Sequence, residues 1–461
     1  MRRPAPAGRP VALAVAGSDS GGGAGVQADL KTMEAHGTFG TSVVTAVTAQ
    51  NTRGVESSHV LPADEIEAQY RAVADDFDLR AVKTGMLATA EVVRLVADLL
   101  ESHDGPVVVD PVMVATSGDR LLAPEAEAAY AELIARATLL TPNADEAEVL
   151  TGVEVTGPEA AVRAGERLRE MGADAALVKG GHVPGETVTD VLVGDGRLLG
   201  GEAVRRFEHE RVDTDATHGS GCTLSSAVAA RLACGEELVD AVAAATDFLE
   251  RAVRYSLDVG EGPGCVHHLA ALRGRAAMPG TLEAVASVVE SFVDRDVSAL
   301  VPEVGMNVVG ATPYAEAVGE TAAVEGRITR TLSGVAPNRG VRRGASSHVA
   351  RFLLAAREFD PSLRFAVDCR FDDDVESALS ALDGPVAEFD RAAEPEAVKA
   401  REGGTMGWGA RRAFESRDRP PVAVVDRGEV GKEAVVKVLA PDAGTLRERT
   451  FALLDALESG V

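Results

Sequence analysis

The chain has little lysine, few aromatic residues and no long apolar segment. Only 6 of its 46 basic residues are lysine, they stand against 72 acidic residues, and the formal net charge is −26. So acidic a protein is a poor partner for nucleic acid, because phosphate backbones are bound by basic surfaces. No apolar run approaches the roughly 18 residues that a membrane span requires. We therefore expect neither a nucleic-acid nor a membrane partner.

Cysteine is also scarce, and the four residues lack any C-x-x-C spacing. This disfavours a disulfide framework or a zinc site and favours reduced thiols. Arg2-Arg3 followed by the apolar run Val11–Ala16 has a superficial likeness to a secretory signal. That run is shorter than the usual apolar core of about 7–15 residues, and cleavage would remove a predicted strand. We expect a cytoplasmic protein. The four cysteines are Cys222, Cys234, Cys265 and Cys369.

The acidity combined with the low lysine content indicates a salt-rich source. At 1 M salt the Debye length shrinks to about 3 Å, so repulsion among surface carboxylates is screened. A GC-rich coding bias also explains arginine in place of lysine, but it does not explain the acidity. We therefore expect a halophilic protein.

Length and patterning indicate two α/β domains. The 461 residues exceed one ordinary domain, and 46% hydrophobic residues suffice for full cores. In the first half, short apolar runs alternate with longer helical patterns, which predicts a mostly parallel sheet covered by helices on both faces. The predicted strands lie near Val11–Ala16, Ser42–Val47, Ala81–Lys83, Val107–Asp110, Leu139–Thr141 and Ala175–Lys179. The predicted helices include Val26–His36, Asp64–Asp76, Thr89–Ser102, Pro158–Met171, Ser220–Cys234 and Leu238–Leu257.

Breaker residues give the predicted boundaries. Residues 1–10 are rich in Pro and Arg and predict a disordered N-terminus. Residues 273–281 contain Gly274, Pro279 and Gly280 and predict a linker. The first domain then spans 11–272, and a smaller second α/β domain spans 282–461.

The most informative segment is the loop from Thr217 to Thr223, T-H-G-S-G-C-T. It leads directly into an alanine-rich helical pattern, and backbone N–H groups at such a helix start bind anions. Cys222 lies at this helix N-terminus, a position that lowers a thiol pKa from about 8.5. A phosphate site beside a proton-accepting thiolate is what phosphoryl transfer to a hydroxyl requires. The structural alternative is a helix cap with a small buried cysteine.

A second glycine-rich loop, residues 17–25, connects the first predicted strand to a helix. This order also occurs in dinucleotide sites. However, the glycines do not follow G-x-G-x-x-G with an acidic residue about 20 positions further on. We therefore disfavour a dinucleotide site.

Further short motifs run collinearly between residues 10 and 270. They are AGSD (16–19), QADLKT (27–32), TAVTAQNTRGV (45–55), KTGML (83–87), VDPVM (109–113), TPN (141–143) and KGGH (179–182). Together with the Cys222 loop, they resemble the hydroxymethylpyrimidine/phosphomethylpyrimidine kinases of thiamine biosynthesis, members of the ribokinase superfamily. The resemblance implies a ribokinase-like fold and ATP- and magnesium-dependent phosphorylation of a pyrimidine alcohol, then of its monophosphate.

The resemblance also implies roles for single residues around the pyrimidine. Cys222 would be the catalytic base, where most ribokinase-like enzymes carry an aspartate. Gln50 would hydrogen-bond the aminopyrimidine edge, since an amide both donates and accepts. Met86 would pack on the ring, and Asp29 would orient the ring or its hydroxyl. Without the resemblance, a loop amide, a core methionine and a helix-surface aspartate remain the alternatives.

For the nucleotide, the resemblance implies that Lys179 neutralises phosphates and that the loop backbone stabilises the transferring phosphoryl. The loop residues concerned are Gly219, Ser220 and Gly221. The pattern N-x-x-E ends at Glu146, which would hold magnesium largely through water, with Asp110 as a further carboxylate. Asn143 and Glu146 also suit a helix N-terminus, which remains the alternative. His218 is interpreted as a turn histidine that contacts local backbone.

A basic cluster stands out in the second domain. Residues 337–351 place four arginines and a histidine around a glycine turn before an apolar helical pattern, which predicts an anion site. Arg327, in the run 323–331, is expected to project towards it. The clustered residues are Arg339, Arg342, Arg343, His348 and Arg351.

Five motifs of this domain are VGMN (304–307), VEGRI (324–328), GASSHVAR (344–351), FDR (389–391) and GKE (431–433). Over about residues 282–458 they resemble the archaeal-type thiamine-phosphate synthase domain, which joins hydroxymethylpyrimidine diphosphate to thiazole phosphate and releases pyrophosphate. The resemblance implies that Arg327 stabilises the leaving group and that His348 is a proton donor or hydrogen-bonding group.

We therefore predict a bifunctional thiamine-biosynthesis enzyme with small-molecule substrates, assembled as a homodimer. The alternative for the second domain is a non-catalytic sensor of thiamine phosphate. Arg327 and His348 are both present and no helix-turn-helix pattern precedes them, which favours the synthase. The alternative for the first domain is a pyridoxal or other vitamin kinase, which Gln50 together with Cys222 disfavours.

Overall fold

The computed structural model describes residues 7–113, 124–401, 403–415, 417, 419–429 and 431–459. The chain forms two compact units, Met1–Ala271 and Leu272–Val461. Of the segment predicted to be disordered, residues 1–6 lie outside the described residues. Arg9, in the remainder, forms an exposed ion pair with Glu34 at 2.6 Å. Within the described ranges, no helix is both long and apolar enough to cross a bilayer.

The first unit alternates strands and helices, as predicted. Its strands are β1 (Val11–Ala16), β2 (Phe39–Val44), β3 (Ala46–Asn51), β4 (Gly54–Val60), β5 (Leu79–Thr84), β6 (Val107–Val109), β7 (Leu139–Leu140), β8 (Ala175–Val178), β9 (Thr187–Gly194) and β10 (Val204–Glu210). Its helices are α1 (Gly25–Ala35), α2 (Ala63–Ala74), α3 (Ala90–Leu99), α4 (Tyr130–Ile134), α5 (Ala144–Thr151), α6 (Pro158–Glu170), α7 (Ser220–Ala233) and α8 (Leu238–Arg254).

The described strands form an eight-stranded sheet in the order β10-β9-β8-β7-β6-β5-β1-β2, with β3 and β4 in a separate hairpin. Neighbours from β2 to β8 pair in parallel, whereas β9 and β10 pair antiparallel. Side chains of β6 alternate between two cores. Val107 and Val109 pack with α3 and α6, and Val108 packs with α7 and α8. Helices on both faces therefore confirm the predicted architecture.

One predicted strand, Ser42–Val47, is divided in the structure. β2 ends at Val44, and Thr45 turns the chain out of the sheet into β3. Thr45 is anchored on both sides, because its N–H donates to Ala16 O at 3.0 Å and its hydroxyl donates to Met86 O at 2.7 Å. The apolar pattern continues through this point, so the sequence alone did not reveal the turn.

The second unit has its own sheet and two apolar layers. Its strands are β11 (Val308–Ala311), β12 (Thr321–Val324), β13 (Ile328–Thr331), β14 (Gly334–Pro337), β15 (Val341–Arg343), β16 (Phe365–Arg370), β17 (Val386–Phe389), β18 (Ala423–Asp426) and β19 (Val435–Ala440). Its helices are α9 (Ala270–Arg295), α10 (His348–Ala356), α11 (Asp373–Ala378), α12 (Glu396–Lys399), α13 (Gly404–Phe414) and α14 (Ala443–Ser459).

The described strands of this unit form a seven-stranded sheet in the order β15-β12-β11-β16-β19-β18-β17, with β13 and β14 in a hairpin. Only β17 and β18 pair in parallel within it. Helices α9, α11 and α14 contribute to one apolar layer, and α10 and α13 contribute to the other. It is an α/β domain, but the sheet is mainly antiparallel.

Residues 273–281, predicted to be a linker, are helical. They lie inside α9, which contains Pro279. The breaker residues mislead here because burial of Val285, Val288 and Phe292 stabilises the helix. Each of these buried side chains contributes about 1.5–3 kcal/mol, which offsets the roughly 3 kcal/mol cost of an internal proline.

Candidate active sites

The first site lies at the carboxyl ends of the parallel strands. Asp19 follows β1, Met86 follows β5, Asp110 follows β6, Asn143 follows β7 and Lys179 follows β8. Because the carboxyl ends of parallel strands meet at one edge of a sheet, these residues converge. They line a cavity of about 570 Å³.

Every residue predicted for the kinase site lines this cavity except Asp29. The residues concerned are Gln50, Met86, Asp110, Glu146, Lys179, Gly219, Ser220, Gly221 and Cys222. The fold therefore brings together segments that lie up to 172 positions apart, between Gln50 and Cys222. The sequence-based assignment correctly grouped these residues without knowing their distances.

Asp29 requires a correction. Its side chain is fully buried on α1, where its carboxylate accepts from Lys83 Nζ at 2.8 and 3.0 Å and from Ser226 Oγ at 2.6 Å. These partners occupy the carboxylate, and Asp29 is not among the residues that line the cavity. The apolar pattern of β5 gave no sign that Lys83 is paired in this way.

The anion-binding loop has the predicted helix start. Gly219 precedes α7 with φ +82°, and a Cβ there would lie 1.9 Å from Gly23 O, so only glycine fits. Gly221 lies near Lys179, whose Nζ would be 3.3 Å from an added Cβ. Ser220 and Thr223 donate their N–H groups to Thr217 O and Gly219 O at 3.0 and 2.9 Å. The N–H groups at Gly221 and Cys222 and the ammonium group of Lys179 therefore supply the donors that an anion site requires.

The pKa of Cys222 differs from the sequence-based prediction. Burial raises the pKa of this thiol to about 11, and the nearby carboxylates of Asp29 and Asp110 add to the rise. The positive charge of Lys83 and the backbone N–H of Gly25 act in the opposite direction and are outweighed. The free-energy cost of desolvating the thiolate exceeds the stabilisation that the helix N-terminus provides. The pKa of Cys222 is therefore raised, and the prediction that it is lowered is wrong.

A second group of charges surrounds Lys179. Its Nζ lies 3.0 Å from Asp110 Oδ1, and Asp110 also accepts from Thr141 Oγ1 at 3.1 Å. Burial disfavours the charge on Lys179, but attraction to Asp110 and Glu146 outweighs it and holds the pKa of Lys179 above its ordinary value. Lys179 is therefore a fixed cation.

Glu146 caps the N-terminus of α5 and also lines the cavity. Its Oε2 accepts from the Asn143 N–H at 2.9 Å, and Asn143 Oδ1 accepts from the Glu146 N–H at 2.9 Å, which forms a capping box at the start of α5. Burial raises the pKa of Glu146 to about 7, with Asp110 adding to the rise and Lys179 opposing it. Asn143 and Glu146 therefore do form the helix N-terminus that was the alternative to a metal site, and the Glu146 side chain still lines the cavity.

Two further residues of this site were not recognised from the sequence. His218, interpreted from the sequence as a turn histidine that contacts local backbone, lines the cavity and contacts the side chains of Gln50 and Asp19. Asp19 is nearly fully buried at the end of β1. An acidic residue inside a glycine loop resembles a solvated turn residue, so the sequence offered no reason to single it out.

The second site contains Arg327 in a strained turn between β12 and β13. Arg327 has φ +80°, which is unusual for a residue with a side chain and costs about 1–3 kcal/mol. Its Nη1 donates to Val304 O at 2.7 Å. The turn is held by Asn307, which donates to and accepts from Val324 at 3.0 and 3.1 Å. The predicted continuous run 323–331 is therefore interrupted at Arg327.

His348 begins α10 and lies among cations. Burial lowers the pKa of its imidazole, and the positive charges of Lys437, Arg327, Arg391 and Arg351 lower it further. His348 is therefore neutral at pH 7 and suited to hydrogen bonding. Lys437, in the middle of the sheet, was not recognised from the sequence.

A buried ion pair supports this cluster. Arg391 donates from Nε and Nη2 to the two carboxylate oxygens of Asp426 at 2.8 and 2.7 Å. Lys437 Nζ lies 3.5 Å from the same carboxylate and 5.1 Å from the centre of the Phe352 ring. This bidentate geometry fixes Arg391 rigidly.

The predicted basic cluster is only partly available. Arg339 and Arg342 both pair with Glu325, at 3.2 and 2.8 Å, and Arg343 donates to Gly319 O. His348 and Arg351 remain with Arg327 as the predicted residues that lie near one another. Electrostatic contact with Glu325 weakens the first two arginines as anion ligands.

Taken together, the first unit has a parallel sheet, a cavity at its carboxyl edge, a helix start suited to phosphate and a fixed ammonium group. These features define a small-molecule kinase of the ribokinase-like fold. Among the residues that the structure describes, no three His, Cys, Asp or Glu side chains are grouped so as to hold a metal by themselves.

Comparison with known proteins gives the particular family. Residues 19–267 match the family described as "Phosphomethylpyrimidine kinase", and residues 284–450 match "Thiamine-phosphate synthase ThiN". The chain belongs to the phosphomethylpyrimidine kinase family and joins a synthase domain to it. It is a bifunctional thiamine-biosynthesis enzyme, which confirms the prediction from the sequence.

Relatives match the first unit closely. A hydroxymethylpyrimidine/phosphomethylpyrimidine kinase of Rhizobium meliloti is 48% identical over 262 residues, which cover 56% of this chain and 96% of the relative. The thiamine biosynthesis bifunctional protein ThiED of Geobacter sulfurreducens is 45% identical over 59% of this chain and 54% of its own length.

Solved structures give the same fold. Bacillus subtilis pyridoxal kinase in an ADP complex is 34% identical with a TM-score of 0.52, covering 57% of this chain and 99% of that one. Staphylococcus aureus pyridoxal kinase with AMP-PCP and pyridoxal is 29% identical with a TM-score of 0.52, covering 57% and 94%.

Proposed function

We propose that Cys222 is the base that accepts the hydroxyl proton while the pyrimidine alcohol attacks the terminal phosphoryl of ATP. The observation that carries this proposal is the position of the thiol, in the cavity wall at the start of α7. The O–P bond to the pyrimidine forms, the bond to ADP breaks, and the proton goes to Sγ. The fixed charge of Lys83 beneath the thiol favours the thiolate that this step requires.

The phosphoryl group is stabilised by Lys179 and by the first N–H groups of α7. Both are fixed before substrate binds, so their dipoles need no reorganisation as negative charge moves from the hydroxyl oxygen to ADP. Asp110 holds Lys179 at 3.0 Å and thereby positions its ammonium group. The same arrangement serves phosphorylation of the alcohol and of the resulting monophosphate.

Magnesium fits the same part of the cavity. Asp110 and Glu146 place two buried carboxylates near each other, and the pKa of Glu146 is raised to about 7 in part because the two repel. Oxygen ligands, together with water and nucleotide phosphates, are what magnesium prefers. Bound there, the ion would neutralise charge on the phosphates of ATP. Asp110 and Glu146 would hold it.

The pyrimidine ring is placed by Gln50 and Met86. Met86 is almost fully buried and packs with Ala46 and Ala88, so its thioether offers an apolar surface to a ring. Gln50 lies at the bulge between Ala49 and Gln50 in β3, which turns its amide to the cavity. An amide facing the ring edge satisfies both a ring nitrogen and an amino group.

In the second unit, Arg327 stabilises the departing pyrophosphate and neutral His348 hydrogen-bonds to it. The cations around His348 and the strained turn at Arg327 support this assignment. Cleavage of the carbon–oxygen bond leaves a cationic pyrimidine methylene, which the thiazole nitrogen then attacks. Fixed cations lower the barrier because negative charge builds up on the leaving group.

One experiment tests the whole sequence of reactions. Hydroxymethylpyrimidine, thiazole phosphate, ATP and magnesium are incubated with the protein, and thiamine phosphate is detected by mass. Synthetic pyrimidine diphosphate supplied without ATP isolates the synthase step. Tight binding of thiamine phosphate without its formation from the diphosphate would identify a sensor domain in place of a synthase.

Pyridoxal is the second candidate substrate, because the matched solved structures include the pyridoxal kinases of Bacillus subtilis and Staphylococcus aureus. The same preparation should be assayed with pyridoxal, and a larger kcat/KM for pyridoxal would reverse the assignment. The homodimer, the cytoplasmic location and the halophilic character stay predictions from the sequence.

A further inference from the structure

A chain of polar contacts leads from the buried end of β1 to the substrate-reading amide. Asp19 is only 2% exposed, and its carboxylate accepts from the N–H groups of Gly21, Gly23 and Ala24 at 2.8, 2.9 and 2.7 Å. Burial opposes its ionisation, but these bonds and the contact with His218 outweigh burial and hold the pKa of Asp19 below its ordinary value. Asp19 is therefore an ionised group that can only accept.

This carboxylate decides which ring nitrogen of the neighbouring imidazole acts as the donor. His218 Nε2 lies 3.2 Å from Asp19 Oδ2, so a hydrogen bond requires a proton on Nε2. The ring lies close against Gly23, where an added Cβ would be 2.6 Å from its Cδ2 atom, so only glycine leaves room for the imidazole there. With its proton on Nε2, His218 is a donor at this nitrogen.

The same nitrogen approaches Gln50. As the amide is placed, Gln50 Nε2 lies 3.4 Å from His218 Nε2. Both nitrogens would then be donors, and no hydrogen bond could form between them. An amide turned by 180° presents Oε1 there and accepts from His218. Oxygen and nitrogen of an amide are nearly the same size, so hydrogen-bond partners decide its orientation.

The hydrogen bonds of Thr48 independently favour the same orientation of the Gln50 amide. The Thr48 hydroxyl is within donating distance of two oxygens, Ser18 O at 2.8 Å and, with the amide as placed, Gln50 Oε1 at 3.2 Å, and the shorter contact with Ser18 takes the proton. Because a hydroxyl carries a single proton, Oγ1 has only a lone pair left for Gln50. The amide must therefore direct its NH₂ group at Thr48.

We propose that His218 is a positioning residue that locks the orientation of the Gln50 amide and thereby selects an aminopyrimidine over an oxopyrimidine. This proposal rests on the proposed reading of the ring by Gln50. With His218 and Thr48 satisfied, Gln50 has one N–H and one oxygen lone pair left for the cavity. The N–H donates to a ring nitrogen, and the oxygen accepts from the neighbouring amino group.

An oxopyrimidine reverses this pattern. Its ring N–H donates and its carbonyl accepts, so it would require the amide to turn by 180° and to break the contacts with both His218 and Thr48. A site built to hydrogen-bond one pattern rejects the other strongly, because buried polar groups are left unpaired. Selectivity between amino and oxo rings therefore depends on a residue that need not touch the ring.

The test compares 4-amino-5-hydroxymethyl-2-methylpyrimidine with its 4-oxo analogue. We expect the full-length protein to favour the amino compound in kcat/KM by ~100-fold or more. His218→Phe keeps the ring shape and removes the donor, and the ratio should fall ~10-fold or more through opposite changes in the two KM values. His218→Gln places an N–H near the same point, and its ratio should stay within about threefold of the wild type.

These outcomes separate the two proposals. No phosphorylation of the amino compound by the wild type would contradict the proposed kinase function itself. An active wild type whose amino/oxo ratio is unchanged in His218→Phe would overturn the role of His218 alone.

A measurement without substitution covers the case in which His218→Phe does not fold. In uniformly ¹⁵N-labelled wild type, the imidazole ¹⁵N shifts should show a proton on Nε2 of His218. A bare Nε2 would overturn the proposal, because a ring without that proton cannot donate to Gln50.

Discussion

The proton-accepting role of Cys222 makes a prediction that runs against the usual behaviour of cysteine at a helix start. With its pKa raised to about 11, roughly one thiol in 1,000 is ionised at pH 8. Each further pH unit should then raise the thiolate fraction tenfold. Between pH 8 and 10, the rate of alkylation by iodoacetamide should therefore increase ~100-fold without a plateau.

Kinase turnover should follow the same slope. The kcat/KM for the pyrimidine alcohol, measured by ADP release at saturating ATP, is expected to rise over pH 8–10 as alkylation does. This range lies above the pKa of Glu146, about 7, so the ionisation of that carboxylate does not distort the slope. Alkylation is read by peptide mass in a Cys234→Ser background, which removes an exposed thiol remote from the cavity.

Two substitutions of Cys222 test whether its thiolate is the base. Cys222→Ala should lose turnover by roughly 10²–10⁴-fold while ATP binding changes little, because the backbone of the loop remains. Cys222→Asp should keep partial activity that varies little over pH 8–10, since a carboxylate ionises at a much lower pH than a thiol in the same surroundings. A wild-type profile that levels off below pH 8, or turnover in Cys222→Ala within threefold of the wild type, would refute the reasoning.

Five further predictions concern separate features. Gln50→Ala should weaken pyrimidine binding by about 1–3 kcal/mol and leave the KM for ATP near wild type; a parallel rise of both constants would mean that Gln50 shapes the fold. Glu146→Gln should raise the magnesium concentration for half-maximal activity ~10-fold or more, and an unchanged requirement would remove Glu146 from the metal site. Arg327→Ala should cost the synthase about 2–4 kcal/mol of transition-state stabilisation, whereas Arg339→Ala, an exposed arginine paired with Glu325, should not. His348→Ala should cost less, and because the pKa of the imidazole is lowered, the wild-type synthase rate should change only on acidification past the ordinary histidine range, a dependence that the variant should lack; diphosphate production should persist in these synthase variants. The melting temperature should rise from dilute buffer to 2 M salt as repulsion within the −26 chain is screened, and equal values would contradict the halophilic interpretation.

The sequence determined the chemistry that is local along the chain. The glycine loop before Cys222 predicted a helix start suited to an anion, and Gly219 at that start adopts a conformation that other residues disfavour. Alternating strand and helix patterns required a parallel sheet, and the carboxyl ends of parallel strands meet at one edge. Gln50, Lys179 and Glu146 were grouped from the sequence without any measured distance, and they line one cavity in the structure.

The tertiary structure decided what depends on burial and on contacts between distant segments. Cys222 lies at a helix start, yet burial reverses the expected sign of its pKa shift. The seven-residue motif does not show how deeply the thiol is buried, because burial depends on the segments that pack around it. Asp29 became the buried partner of Lys83 only because α1 and β5 pack together. Residues 273–281 became helical because apolar side chains further along α9 are buried. The local sequence pattern specifies which chemical groups are present. Long-range packing sets the solvation and the hydrogen-bond partners of each group, and solvation and partners together determine its charge.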